Sequence, residues 1–216
     1  MLAIASGKGG CGKTTTTIGI ASAIARTGTA AQAVDLDLDM PDLHVLAGVD
    51  RSPGLDDEEA NRRKKAPGRP GVYVVPAPET GEGRKIRRSL ASLPPGPTLL
   101  DTPAGMGRDA VRPIRWASEV LLVTTDTTEA IEDTIKTSTV AAEFETPVAG
   151  LAVRTDRQLP ASLPDRLGLQ PDAVFRIPSV EGPPLSSPAV RRVYRRIAAH
   201  LREKGYTAPE RTTPAT

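Results

Sequence analysis

Residues 7–14 read Gly7-Lys8-Gly9-Gly10-Cys11-Gly12-Lys13-Thr14 and satisfy the pattern G-x-x-x-x-G-K-[ST]. Nothing else in the 216 residues restricts the possible folds as sharply. Such a loop requires a buried strand before it and a helix after it, and the sequence supplies both. Leu2–Ser6 (LAIAS) is a short apolar run that reads as a strand. Thr14–Arg26 carries Ile18, Ile20, Ala21, Ile24 and Ala25 as apolar helical contacts, and Gly28 ends it. Phosphate oxygens need many donors converging on a concave surface. Gly9, Gly10 and Gly12 let backbone N–H groups approach without Cβ clashes. The helix N-terminus at Lys13–Thr15 adds its dipole. Lys13 is expected to reach the β- and γ-phosphates, and the Thr14 hydroxyl to ligate Mg²⁺. Gly7, Cys11 and Thr15 complete the expected nucleotide contacts. The chain has no N-K-x-D-type guanine-reading motif, so ATP is favoured over GTP.

Beyond the loop, strands and helices alternate. Strands are predicted at Ala31–Leu36, Gly71–Pro76, Thr98–Asp101, Glu119–Thr124, Val148–Val153 and Ala173–Ile177. Helices are predicted at Gly83–Leu93, Asp109–Ala117, Asp126–Phe144 and Pro188–Lys204, the third capped by Asp126 or Thr127. Arg51–Pro70 reads as a loop with room for one helical turn, Pro94–Pro97 as a turn, and Arg154–Pro171 as irregular. The expected fold is α/β, a mostly parallel twisted sheet with helices on both faces, forming one domain over residues 1–204. Residues 205–216 are expected to be a polar, flexible tail. Active loops in such sheets lie beyond the carboxyl ends of the strands, where the acidic stretch Asp35–Asp42 and Asp101 also fall.

Aromatic residues are only 3%, so the core must be aliphatic. A single cysteine excludes an internal disulfide framework and any zinc or iron–sulfur site needing several thiolates from one chain. It fits a reducing, cytoplasmic setting. No apolar run reaches the roughly 18 residues of a membrane span. The N-terminus lacks a basic region before its short apolar start, so no signal peptide is expected. His44 and His200 have no Cys or His neighbours in sequence, and neither is assigned to a metal. A net charge of +2 neither demands nor forbids a nucleic-acid partner.

The block from Lys8 to Thr15 resembles the deviant Walker A motif of the ParA/MinD family of P-loop ATPases, and the chain looks closest to its MinD-like members. The mark of that motif is the extra lysine, here Lys8. The resemblance implies that Lys8 crosses a nucleotide-sandwich homodimer to touch the phosphates of the other subunit, as an arginine finger does. Asp35 and Asp37 lie two apart and share one face of a strand, so one of them would hold a water on Mg²⁺. The resemblance to the family's switch I assigns that role to Asp35 and gives Asp37 the attacking water. Thr98-Leu99-Leu100-Asp101-Thr102-Pro103-Ala104-Gly105 resembles the Walker B and switch II block, which implies that Asp101 meets Mg²⁺ through water and that the loop around Gly105 senses the γ-phosphate. Ile177-Pro178 resembles the family's adenine-side loop, which assigns Pro178 to the nucleotide. The strand ending in Arg154-Thr155 departs from the family's adenine-reading pattern there.

These implications converge on an ATP hydrolase, slow until stimulated by an activating or scaffold partner, that works as a dimerisation switch in spatial organisation. Two alternatives stand beside it. One is a ParA-type partition ATPase with nonspecific DNA binding, motivated by Arg191, Arg192, Arg195, Arg196 and Arg202 opposite the apolar arc of the last helix. The clusters Arg62-Arg63-Lys64-Lys65 and Arg84, Lys85, Arg87, Arg88 add to that basic inventory. The other is a nucleotide-gated binding module with negligible turnover. No direct membrane anchor is expected, because Pro209 and Pro214 and the lack of an apolar face rule out a terminal amphipathic helix.

Overall fold

The structure, a computed structural model, describes residues 1–57, 62–79 and 81–206. Residues 58–61 of the expected 51–70 loop and 207–216 of the expected tail lie outside the described residues. The strands are β1 (Leu2–Ala5), β2 (Ala31–Asp35), β3 (Lys64–Lys65), β4 (Val72–Val75), β5 (Thr98–Asp101), β6 (Glu119–Thr125), β7 (Val148–Arg154) and β8 (Val174–Ile177). The helices are α1 (Lys13–Ala25), α2 (Leu43–Ala47), α3 (Gly83–Ala91), α4 (Arg108–Trp116), α5 (Thr128–Glu143), α6 (Leu163–Arg166) and α7 (Pro188–Glu203). One sheet holds the strands in the order β3-β4-β2-β5-β1-β6-β7-β8. Every neighbouring pair is parallel except β3–β4.

Both faces of the sheet are covered, which is why its central strands read as unbroken apolar runs. On one face Leu2 and Ile4 pack with Ile18 and Ile24 of α1, Leu43 of α2, and Val190 and Ile197 of α7. On the other, Ala3 and Ala5 meet Ile114 of α4, Ile131 of α5 and Leu163 of α6. Further along that face Val34 and Leu100 meet Ile86 and Leu90 of α3. Strand β1 lies between β5 and β6, so the chain crosses over it between them. That crossover makes the carboxyl end of β1 a topological switch point, the place where such sheets open a crevice.

Three local expectations need correction. Lys64–Lys65, placed in a loop by sequence, pairs antiparallel with Tyr73 and Val74 as a two-residue edge strand. Its register is held by Lys64 Nζ donating to the Asp50 carbonyl at 2.6 Å, a tertiary contact with no local signal. The irregular 154–171 stretch contains the short helix α6. The folded chain also continues past residue 204: the Tyr206 N–H donates to the Leu201 carbonyl at 3.0 Å and its hydroxyl donates to the Thr98 carbonyl. Burial pushes the Tyr206 phenol above its ordinary pKa. Among the described residues no helix is long and apolar enough to cross a membrane.

Helix α7 follows its sequence pattern. Ser187 caps it by accepting from the Val190 N–H at 3.5 Å, and Pro188 takes the first turn, where a missing N–H costs nothing. Val190, Val193, Tyr194, Ile197 and Leu201 are buried, and all five arginines are exposed. The Tyr194 ring lies flat against α1 at Gly19, where a Cβ would fall 2.3 Å from two ring carbons. Alanine gains about 1 kcal/mol over glycine inside a helix. Overpacking a filled core costs about 1–3 kcal/mol. Gly19→Ala is therefore expected to lower stability by roughly 1 kcal/mol net in urea unfolding, and a variant as stable as the parent would contradict this packing.

Candidate nucleotide site

Residues 7–14 leave β1 and enter α1 at the switch point. Gly10 and Gly12 have φ values of 73° and 95°, the left-handed region that side-chain-bearing residues adopt only with strain. The Ser6 hydroxyl donates to the Lys8 carbonyl at 2.7 Å, and the Cys11 thiol lies 3.9 Å from the Gly9 carbonyl. No side chain caps α1, so its first N–H groups are available to an anion. Gly7 has a different reason to be glycine: a Cβ there would sit 2.6 Å from the backbone of Asp133 on α5. The loop is thus wedged against α5 as well as carried by β1.

The two lysines of the loop differ sharply. Lys13 is 8% exposed, and among the described residues its ammonium has neither an ion pair nor a hydrogen bond. A buried, unpaired cation is costly and calls for an anionic ligand. Lys8 is exposed, and its Nζ lies 2.5 Å from Glu129 Oε2 in the first turn of α5. In sequence Glu129 is merely an acid in the first turn of a helix that Asp126 or Thr127 is expected to cap. The structure retains that cap, with the Thr127 hydroxyl accepting from the Ala130 N–H at 3.3 Å, and adds the contact with Lys8.

Asp35 and Asp101 are paired residues at the ends of the adjacent strands β2 and β5, and both are buried. Asp35 accepts from the N–H groups of Asp37 at 3.0 Å and Leu43 at 3.2 Å, which ties the acidic loop to α2. Burial, with the neighbouring Asp101 charge adding, raises its pKa to about 8. Asp101 is raised to about 7, again by burial, although the Thr14 hydroxyl and Lys13 pull the other way. Its Oδ1 accepts from the Thr17 hydroxyl at 3.3 Å, while its buried Oδ2 has no hydrogen-bond partner among the described residues. Two dry carboxylates beside a threonine hydroxyl form a hard-oxygen donor set. A Mg²⁺ ion fits it, because the ion would both satisfy the orphaned oxygen and cancel the repulsion.

Hydrogen bonds hold the surrounding loops. Asp37 is half-buried, and its Oδ1 accepts from the Met40 N–H at 3.0 Å, folding the acidic loop on itself. After β5 the Thr102 hydroxyl donates to the Ile4 carbonyl at 3.0 Å, and the Gly105 N–H donates to the Ser6 carbonyl at 3.1 Å. This second loop is therefore latched to the strand that carries the phosphate loop. On the other side a cavity of about 370 Å³ opens against Gly12, Thr15 and Thr16, with Pro178, Arg154 and Tyr194 on its far walls. Pro178 and the phosphate loop thus line one cavity. Of the two residues that depart from the adenine-reading pattern, Arg154 lines this cavity, whereas the Thr155 hydroxyl donates to Asp126 Oδ2 at 2.6 Å.

The basic cluster 62–65 is largely used inside the fold. Arg62 donates to the carbonyls of Leu55, Asp57 and Ser89 at 3.3–3.4 Å, and Arg63 stacks 4.0 Å over the Tyr73 ring. Lys85 lies 3.4 Å from the buried Asp56. The His200 Nε2–H donates to the Ala149 carbonyl at 2.9 Å and the ring packs edge-on to Phe175, a structural role.

Raised carboxyl pKa values mean that the folded chain holds protons which the unfolded chain has released, so stability falls as pH rises from about 4 towards 8. Asp101→Asn removes one of the two groups. With nucleotide and metal absent, its Tm is expected to exceed the parent's by a few degrees at pH 8.5, the gap shrinking towards pH 5. Parallel pH profiles of Tm would contradict the assigned cause.

The CobQ/CobB/MinD/ParA nucleotide binding domain family matches residues 2–173. An uncharacterized ATP-binding protein of Methanocaldococcus jannaschii is 32% identical over 167 residues, covering 71% of this chain and 63% of that relative. A second such protein of the same organism is 31% identical over 165 residues, 70% of this chain and 62% of the relative. The match thus spans less than two thirds of either relative's length. The crystal structure of the Pyrococcus furiosus cell division ATPase MinD superimposes with a TM-score of 0.80 at 28% identity, over 94% of this chain and 98% of that one. The septum site-determining protein MinD of Pyrococcus horikoshii, complexed with Mg-ADP, shares the fold with a TM-score of 0.80 at 24% identity, over 94% and 96% of the two chains. A phosphate loop with a second lysine, paired acidic strand ends and this strand order all agree with these likenesses: the chain is a P-loop member of the CobQ/CobB/MinD/ParA nucleotide-binding family.

Proposed function

We propose that this chain is an ATP-hydrolysing dimerisation switch of the MinD/ParA kind, acting in the cytoplasm in spatial organisation such as division-site placement or the positioning of cellular cargo. The observation that carries the reading is Lys8. Its side chain is 44% exposed, and among the described residues its ammonium pairs with the exposed Glu129 alone. A side chain so placed is free to serve a second subunit. The acidic loop, α2 and the latched loop after β5 expose Met40, Val45, Leu46 and Met106, apolar side chains that association would cover.

In this reading Lys13 and the loop N–H groups hold the β- and γ-phosphates of ATP, and Pro178 borders the base. Thr14, with Asp35 and Asp101 acting through water, would hold Mg²⁺, which would supply positive charge against the phosphates. Asp37 aligns a water whose oxygen bonds to the γ-phosphorus as the bond to the bridging oxygen breaks, leaving ADP and phosphate. Lys8 of the facing subunit neutralises the charge that develops, so hydrolysis depends on dimerisation. Release of phosphate then frees the loop around Gly105. A partner protein that stimulates hydrolysis sets the lifetime of the dimer. The exposed arginine face of α7 favours a second reading, in which the dimer's target surface is a DNA backbone held without sequence preference.

Sedimentation and single-turnover hydrolysis with Mg-ATP test the switch together. The parent should dimerise. Lys8→Ala should bind ATP yet stay monomeric and inactive, and Asp37→Ala should accumulate as the ATP-bound dimer. Glu129→Ala should tighten dimerisation by no more than about fivefold, because an exposed pair contributes at most about 1 kcal/mol. A parent that remains monomeric when saturated with a non-hydrolysable ATP analogue overturns the reading.

A further inference from the structure

A second cavity, of about 410 Å³, lies between α1, the turn joining β3 to β4, and the middle of α7. Its size is that of ligand sites, roughly 300–1,000 Å³. We propose that it is a binding site for a small ligand bearing two phosphate-type groups on a compact apolar body. Three separate elements deliver its cations: Arg26 caps α1, Arg69 stands in the turn, and Arg191 and Arg195 lie one turn apart on α7. Among the described residues none of these four guanidinium groups has an ion pair or a side-chain hydrogen bond. This differs from Arg62, which is saturated by backbone carbonyls.

Four unneutralised cations round one concavity are held together against their own repulsion, and a counter-anion is the physical complement of that arrangement. Guanidinium groups pair bidentately with phosphoryl oxygens, which makes phosphate a better partner than a single carboxylate for so many donors. A diphosphate or bisphosphate carries about the charge of the four arginines. The floor is apolar, formed by Ala23, Val72 and the Tyr194 ring, all buried. An apolar floor beneath a cationic rim suits a carbon body below anionic groups. A nucleic-acid backbone would instead be tracked by a stripe of charge along the surface, whereas these arginines converge from three elements, and Arg69 is half-buried. The site is separate from the phosphate loop and owes nothing to the role of Lys8.

Calorimetric titration of the Lys13→Ala protein, whose phosphate loop is disabled, isolates this cavity. Pyrophosphate and isopentenyl diphosphate, the same head group with a five-carbon tail, serve as probes. Both should bind saturably below about 1 mM, the tailed probe more tightly. Adding Arg191→Ala and Arg195→Ala should weaken both by about tenfold or more, and adding Arg26→Ala alone, on a different element, should weaken them in the same direction. Unchanged thermal unfolding of the exposed-arginine variants establishes that they are folded. The assignment is overturned by probe affinities indifferent to the arginines, by no saturable binding of either probe, by equal affinity with and without the tail, or by short duplex DNA that displaces the probes and binds more tightly.

Discussion

Lys13, Asp35 and Asp101 are buried ionisable groups brought together at the carboxyl end of β1, β2 and β5, and the chain by itself does not neutralise them. Burial raises the cost of ionising both carboxylates, the Asp101 charge adds to that of Asp35, and the Lys13 ammonium has no carboxylate within bridging distance among the described residues. A folded chain tolerates such an arrangement only if the remaining core holds it in place. Here that core is a sheet buried on both faces, with strand register placing Asp35 directly beside Asp101. Anion and cation together, as in a metal–nucleotide complex, would resolve both imbalances at once. Either alone would resolve half.

The same charges connect to the surrounding loops through a few bonds. Both Asp35 oxygens accept backbone N–H groups, one of them from the start of α2. Gly105 reaches the phosphate-loop strand by one N–H···O bond. Asp35 is thus bonded directly to the start of α2, and Gly105, next to Met106, to the end of the strand that carries the phosphate loop. Few bonds also mean low cost for rearrangement, since each net hydrogen bond contributes only about 1 kcal/mol.

Much of this was legible in sequence because the decisive signals are local. A motif of eight residues fixes strand, loop and helix in one stroke, and the aliphatic runs of β2, β5, β6 and β7 carry the parallel sheet. The missed features are those whose partners are far along the chain. Gly7 belongs to the phosphate motif, but its closest constraint is the backbone of Asp133. Glu129 looks like any first-turn acid until folding brings Lys8 to it. A count of basic residues at 62–65 cannot distinguish an arginine that satisfies loop carbonyls from one facing water, and Tyr206 reads as part of a polar tail until its hydroxyl finds the Thr98 carbonyl. The pairing of Lys64–Lys65 with β4 likewise depends on contacts that no periodicity records.

Tyr194 shows how one such distant contact organises two sites. Its ring lies on α1 at Gly19, its hydroxyl is 3.4 Å from the Thr16 hydroxyl, and it lines both the cavity beside the phosphate loop and the arginine-rimmed cavity. The ring is buried and forms a wall common to both cavities. A ligand in either cavity would meet the same ring. Energetic coupling across such a shared wall is reciprocal, so whatever one cavity gains from the position of Tyr194 the other must register.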